Sequence, residues 1–225
     1  MQHRLIPSLV VQDSGAFYTR AHQTVKYVGD ATNIVKLLSD YGVDEIAIVV
    51  KDSRSLPLLE KIAKYSQRPL SISGLGNKLE YIQRLLEAGF DRIGVTIDRT
   101  DVDTLEMLVA RFGRSSLIGN FNFYSIPDPK IISTKLEALA ADCFSEVIIH
   151  DVSRSGSQKG FSETLVRALN DAWRKKRVRL SIEGGFDGLL PALEYSAGVY
   201  YSAKYIFKSD SEALTNIMIN PVLTT

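Results

Sequence analysis

The sequence predicts a single (β/α)₈ barrel, and three observations carry that reading. Short apolar runs rich in β-branched residues alternate along the chain with longer stretches of near 3.6-residue apolar spacing, the pattern of repeated βα units. Runs such as Ile46-Ala47-Ile48-Val49-Val50 are apolar on both faces, as a parallel sheet buried on both sides requires. Eight strand-helix units in 225 residues come slightly under the ~250 usual for a closed barrel of this kind. Right-handed crossovers also allow an open doubly wound sheet, but eight parallel strands without a longer linker are less common there. No Pro/Gly/Ser-rich linker or low-complexity stretch interrupts the chain, so one domain over residues 1–225 is expected.

Taken in order, the strands are expected at Arg4 to Val11, Glu45 to Lys51, Pro69 to Gly74, Arg92 to Ile97, Ser116 to Phe123, Glu146 to Val152, Arg179 to Gly184 and Tyr200 to Phe207. Between them, helical spacing runs over Ala31 to Tyr41, Leu56 to Tyr65, Lys78 to Ala88, Asp101 to Phe112, Pro129 to Asp142, Ser162 to Arg177, Gly188 to Ser196 and a short segment from Ser211. The halves echo each other. Leu70-Ser71-Ile72-Ser73-Gly74 in the third strand returns as Leu180-Ser181-Ile182-Glu183-Gly184 in the seventh, and Asp44-Glu45-Ile46 before the second as Ser145-Glu146-Val147 before the sixth. Two echoes in one register argue for a duplicated half-barrel.

Composition excludes several function classes. Lys+Arg 27 against Asp+Glu 26 gives a net charge of +1, so no nucleic acid, anionic membrane or polyanionic substrate is called for. The single cysteine, Cys143, rules out an intramolecular disulfide and reads as a small buried hydrophobe. No signal-like run or ~20-residue apolar span appears, and a cytoplasmic, reduced location is expected. No metal-ligand spacing is present and no cofactor is expected.

In a barrel of this class ligands bind at the carboxyl ends of the strands. Those ends hold few acid-base groups, and no paired carboxylate site is visible. His150, in His150-Asp151-Val152-Ser153-Arg154-Ser155-Gly156-Ser157, is read either as a barrel-lining histidine held by a neighbour or as a proton-transfer group. Glycines are plentiful instead, at Gly74, Gly156 with Ser157, and Gly184 with Gly185. They suit backbone N–H groups approaching a phosphate, or tight turns without a ligand. Two of these groups sit half a barrel apart, which fits a ligand with a phosphate at each end. Ala203 and Lys204, at the end of the eighth strand, complete the candidate phosphate site, and Lys208 nearby could add charge.

The chain resembles the cyclase subunit of imidazole glycerol phosphate synthase, the HisF family of duplicated half-barrels, over nearly its whole length. Four stretches carry the likeness: Arg4-Leu5-Ile6-Pro7-Ser8-Leu9, Gly29-Asp30 before a helix, Ser153-Arg154-Ser155-Gly156-Ser157-Gln158-Lys159-Gly160-Phe161, and Glu183-Gly184-Gly185. The run Val25-Lys26-Tyr27-Val28-Gly29-Asp30 is similar to HisF-like proteins of surface-polysaccharide clusters, thought to use ammonia from a glutaminase in sugar amidation. The resemblance implies a glutaminase (glutamine amidotransferase) partner, a phosphorylated small-molecule acceptor and synthase or lyase-type chemistry.

It also implies catalytic aspartates at the ends of the first and fifth strands, where this chain has Val10 and Asn122. Neither can exchange a proton near neutral pH. Tyr18, Thr96, Ser155 and Lys204 replace further residues of the family pattern, and Leu75 interrupts the glycine triplet after the third strand. At the opposite end, the family's ring of alternating charges that gates ammonia reads here as Arg4, Glu45, Arg92 and Glu146, with all four signs kept. Two expectations follow: an ammonia-using subunit acting on a phosphorylated or nucleotide-linked acceptor, or a degenerate non-catalytic barrel serving as scaffold or partner for a glutamine amidotransferase. In the second, the ring only closes the barrel bottom.

Overall fold

The computed structural model describes residues 4–20, 23–51, 56–74, 78–124, 130, 134, 143–155, 157, 160–173, 178–185 and 196–202. Eight parallel strands close a barrel: β1 (Arg4–Gln12), β4 (Ile46–Val50), β5 (Leu70–Ser73), β6 (Arg92–Thr96), β7 (Leu117–Phe123), β8 (Glu146–Asp151), β9 (Arg179–Glu183) and β10 (Gly198–Ser202). Closure runs through β1, whose Arg4 to Ser8 pair with Gly198 to Ser202 of β10 while Ser8 to Val11 pair with Ala47 to Val50 of β4. Described helices lie between the strands: α1 (Ala31–Asp40), α2 (Leu56–Tyr65), α3 (Leu79–Ala88), α4 (Val102–Phe112) and α5 (Glu163–Trp173).

Local chemistry sets the helix ends. The Asp30 carboxylate accepts from Asn33 N at 2.9 Å and caps α1, and Asp101 caps α4 through Thr104 N at 2.8 Å. Helix α3 stops at Gly89, whose left-handed φ of 111° lets its N–H reach the carbonyls of Leu85 and Leu86. In α1, Ile34, Val35 and Leu38 form the buried stripe, each side chain contributing about 1.5–3 kcal/mol of transfer free energy.

Period-2 alternation separates two cores. Outward residues such as Leu9, Val11, Ile48, Ile93, Val147 and Ile149 join the helices in the large cluster, while Ile6, Ala47, Ile118, Ile148 and Tyr200 form a small cluster inside the barrel. All six residues of β8 are buried, as a strand covered on both faces must be.

Two departures from the sequence expectation stand out. Between the first strand and α1 the chain forms a hairpin, β2 (Gly15–Arg20) and β3 (Gln23–Asp30), with β2 pairing antiparallel to Val10–Gln12 of β1. Pairing along β1 thus continues beyond the barrel rim, and Phe17 packs edge-on against Tyr27 with ring centroids 5.5 Å apart. The eighth barrel strand begins at Gly198, two residues before the expected Tyr200, because Gly198 pairs with Arg4 and Ser181. The expected helices from Pro129, Gly188 and Ser211, and residues 203–207, lie outside the described residues apart from isolated positions.

The half-barrel echo has a backbone counterpart. After β5, Gly74 has φ 91° and a Cβ there would lie 2.2 Å from the Val50 carbonyl oxygen. After β9, Gly184 has φ 101° and a Cβ would lie 2.7 Å from the Asp151 carbonyl oxygen. Each glycine lets its strand end press against the end of the preceding barrel strand. Gly74→Ala should therefore cost about 1–3 kcal/mol from the backbone conformation, plus the clash with Val50. Gly113→Ala is the control, since Gly113 has φ 79° but its nearest neighbour is 4.0 Å away. Urea titration should show Gly74→Ala as the more destabilised variant; equal losses would show that the close approach carries no energy.

Candidate functional site

The two ends of the barrel differ in kind. At the amino ends of the strands, Arg4, Glu45, Arg92 and Glu146 point inward and pair in a closed ring. Arg4 reaches Glu45 Oε2 at 2.9 Å and Glu146 Oε2 at 2.6 Å, and Arg92 pairs with the same two carboxylates. The Glu146 side chain has no exposed surface, and its other oxygen accepts from Ser181 Oγ at 2.6 Å and from the Tyr200 hydroxyl at 3.4 Å. Arg179 approaches Glu146 from the rim at 4.0 Å.

Burial alone would raise the Glu146 carboxyl, but the Arg92 and Arg4 guanidinium groups and the hydrogen bonds from Arg4 and Ser181 hold it at about 2 against an ordinary 4.5. Burial likewise works against the Arg92 cation, but Tyr200, Glu146 and Glu45 overrule it and raise its pKa. The Tyr200 hydroxyl is pushed well up, by burial first and then by the Glu146 and Glu45 carboxylates, so it stays protonated and can donate.

At the carboxyl ends the register aligns Asn122 of β7, His150 of β8 and Glu183 of β9 side by side. His150 Nδ1 lies 3.1 Å from Asn122 Oδ1 and 3.7 Å from Glu183 Oε2, and Ser8 Oγ donates to Glu183 Oε1 at 2.9 Å. A histidine thus sits between an amide and a carboxylate, an arrangement able to hold or pass a proton. Val10 follows Ser8 on the inward face of β1, half-buried, and aligns with Val49 and Phe17. Thr96 ends β6 beside Asn120. In the loop after β8, the Asp151 carboxylate accepts from Ser153 Oγ at 2.6 Å and Arg154 N at 3.2 Å, and Ser155 is buried.

The candidate phosphate residues are only partly described. Gly156, Ala203 and Lys204 lie outside the described residues, as does Lys208. Ser157 donates its N–H to Arg154 O at 2.9 Å. Gly184 and Gly185 meet backbone, the latter with a would-be Cβ 2.5 Å from Gly160 O, so close packing by itself accounts for glycine at both positions. Cys143 is half-buried against the outer core. Among the described residues no cluster of three or more His, Cys, Asp and Glu could hold a metal ion, and no helix is long and apolar enough to cross a membrane.

Sequence reasoning missed Glu183 as a site residue, together with Ser8 and Tyr200. The available signal was parity: Glu183 shares its face with Ser181 and closes its strand one residue before Gly184.

A family model described as histidine biosynthesis protein matches residues 4–188. The chain belongs to that family. Within it the chain is a divergent HisF-like member, similar to proteins provisionally named as imidazole glycerol phosphate synthase subunits. It is 24% identical over 187 residues to hisF2 of Pseudomonas aeruginosa, covering 74% of each chain. It is 24% identical over 212 residues to hisF3 of Vibrio vulnificus, covering 82% of this chain and 78% of the relative. To hisF2 of Campylobacter jejuni it is 23% identical over 244 aligned positions, covering 95% and 96%.

Two measurements check the HisF-like ring. Glu45→Ala leaves Arg4 and Arg92 short of a buried counter-charge and should cost roughly 3–5 kcal/mol in a denaturant titration, whereas an exposed pair would cost about 0–1. Glu146 is held below its ordinary value, so its contribution is complete above pH 4.5 and drains as pH falls toward 2. That contribution is of order 3 kcal/mol. Glu146→Gln should flatten the acid limb of the stability curve over that window, and an unchanged limb would place the acid sensitivity elsewhere.

Proposed function

We propose that the chain is the barrel subunit of an ammonia-using synthase, working in the cytoplasm with a glutaminase subunit that docks over the charged ring. Ammonia passes to a phosphorylated or nucleotide-linked acceptor bound at the carboxyl ends of the strands. The surface-polysaccharide branch of HisF-like proteins is the nearest setting, with sugar amidation as the reaction class. The observation that carries the reading is the ring itself: four charges at the amino ends of four strands, Glu45, Arg92 and Glu146 buried and Arg4 largely so, each bridging two of the opposite sign. Keeping four charges out of water costs several kcal/mol per ion unless pairing is complete, and apolar residues would close a barrel bottom at least as well.

In this reading the acceptor's phosphate lies near Gly74, Gly156, Ser157, Gly184, Gly185, Ala203 and Lys204, and Val10 and Asn122 stand where the family resemblance implies the acid and base. Their chemistry favours a second reading in one respect, since valine cannot exchange a proton and the asparagine amide does not at neutral pH. A degenerate barrel that only binds and regulates a glutamine amidotransferase accounts for the same ring.

Coupling separates the two. With the cognate glutaminase, ammonia incorporation into acceptor should fall when Arg92 is replaced by alanine while basal glutamine hydrolysis continues. Glutaminase that binds the chain but never yields an aminated product would support the scaffold. Cyclisation of the histidine-pathway precursor should be negligible, because losing acid and base removes about 10²–10⁴ for each proton transfer. Turnover at the rate of an ordinary cyclase would contradict the loss of acid and base at Val10 and Asn122.

A further inference from the structure

Besides Val10 and Asn122, the mouth of the barrel holds a carboxylate. Glu183 closes β9, and its side chain is 21% exposed and lines the space beneath the mouth, so a ligand seated there can touch it. It is the one charged residue among the described residues of that lining. The strand order β7-β8-β9-β10-β1 puts β9 midway between the strands that carry Asn122 and Val10, two steps from each.

The two oxygens of this carboxylate are not equivalent. Oε1 accepts from Ser8 Oγ at 2.9 Å, a bond that crosses β10 and fixes the side chain. Oε2 lies 3.7 Å from His150 Nδ1, beyond hydrogen-bond distance, and keeps its lone pairs for an incoming proton. His150 Nδ1 is in turn 3.1 Å from Asn122 Oδ1. Both oxygens beside Nδ1 are acceptors, so the ring carries its proton there and turns a donor edge toward the carboxylate. At Gly184 a Cβ would come 3.3 Å from His150 Cδ2, so the residue after Glu183 leaves the imidazole its place. Asn122 therefore does not stand in for an acid: it orients the imidazole that flanks the carboxylate.

We propose that Glu183 is the catalytic base of the mouth, with Ser8, His150 and Asn122 as positioning residues. The proposal rests on the ammonia-using reading above and deepens it, since it assigns the acceptor an electrophilic carbonyl carbon. As the ammonia lone pair bonds to that carbon, the C=O pair moves onto oxygen and the nitrogen becomes positive. Oε2 takes one N–H proton, and the carboxylic acid so formed returns it to the oxygen. N–H has then added across C=O, and one group has served both transfers. A single carboxylate on β9 works from a different side than an acid and a base on β1 and β7, so it does not restore cyclisation of the histidine-pathway precursor.

The test uses the full chain and a probe that reports a base without the acceptor. Nitrobenzisoxazole opens when a base removes its ring C–H proton: the C–H pair completes the nitrile, and the N–O pair leaves on the phenolate oxygen, whose absorbance is followed. Wild type should open it with saturation. Glu183→Gln, which keeps an acceptor for Ser8, should lower kcat by about 10² or more. Glu183→Asp, which keeps the charge but draws it back, should fall between the two. His150→Gln and Asn122→Leu should each lower kcat about tenfold, the effect of one lost hydrogen bond, with KM unchanged. No saturable opening by wild type, or opening undiminished in Glu183→Gln, would overturn the proposal. Opening that depends on Glu183 in a chain that never aminates an acceptor would remove the ammonia-using reading and keep the base. Amination undiminished in Glu183→Gln would remove the base and keep the reading.

Discussion

The four-way pairing of Arg4, Glu45, Arg92 and Glu146 is the interaction on which the rest of the barrel depends. Each carboxylate bridges two guanidinium groups and each guanidinium bridges two carboxylates, so no member can be removed without leaving two partners short. In a nearly dry position such a set acts as a unit, because a buried unpaired charge costs far more than the pair gains. The ring also ties β1, β6 and β8 to the residue that opens β4, fixing their relative heights. A one-residue slip in any of them would move the charge to the outer face, among leucine, isoleucine and valine.

From that base the inward face changes character layer by layer. Above the ring come Ile6, Ala47, Ile118, Ile148 and the ring of Tyr200, an apolar belt whose one hydroxyl reaches back to Glu146. Above the belt the lining turns to serine, asparagine and Glu183, and the mouth carries Asn122 and His150. Val10 carries no acid-base group, while β8 and β9 place an imidazole and a carboxylate 3.7 Å apart.

Much of this was legible in the sequence, for identifiable reasons. Strands buried on both faces announce themselves as continuous apolar runs, and each of the eight was placed to within about two residues of its described bounds, as far as description extends. The hairpin β2–β3 was not expected because Gly15 to Asp30 lacks such a run, and its strands depend on pairing with the end of β1. The glycines at 74 and 184 were visible as an echo, but the close packing at each was not, because the neighbouring strand end that causes it is distant in sequence. What demands glycine at each is a neighbouring backbone carbonyl. Glu183 was passed over as a site residue because its partners, Ser8 and His150, are 175 and 33 positions away and meet it only through barrel closure and register.

The central claim is that the ring acts as one coupled unit, and a double-mutant cycle on Arg92→Met and Glu146→Gln tests it most directly. Urea titrations of wild type, both single variants and the double variant yield the coupling free energy without reference to any substrate or partner. The account predicts coupling of about 1–3 kcal/mol, the double variant being more stable than the sum of the single losses allows. Losses that add to within about 0.5 kcal/mol would mean that the two residues act independently, and the ring would then be no more than four neighbouring charges.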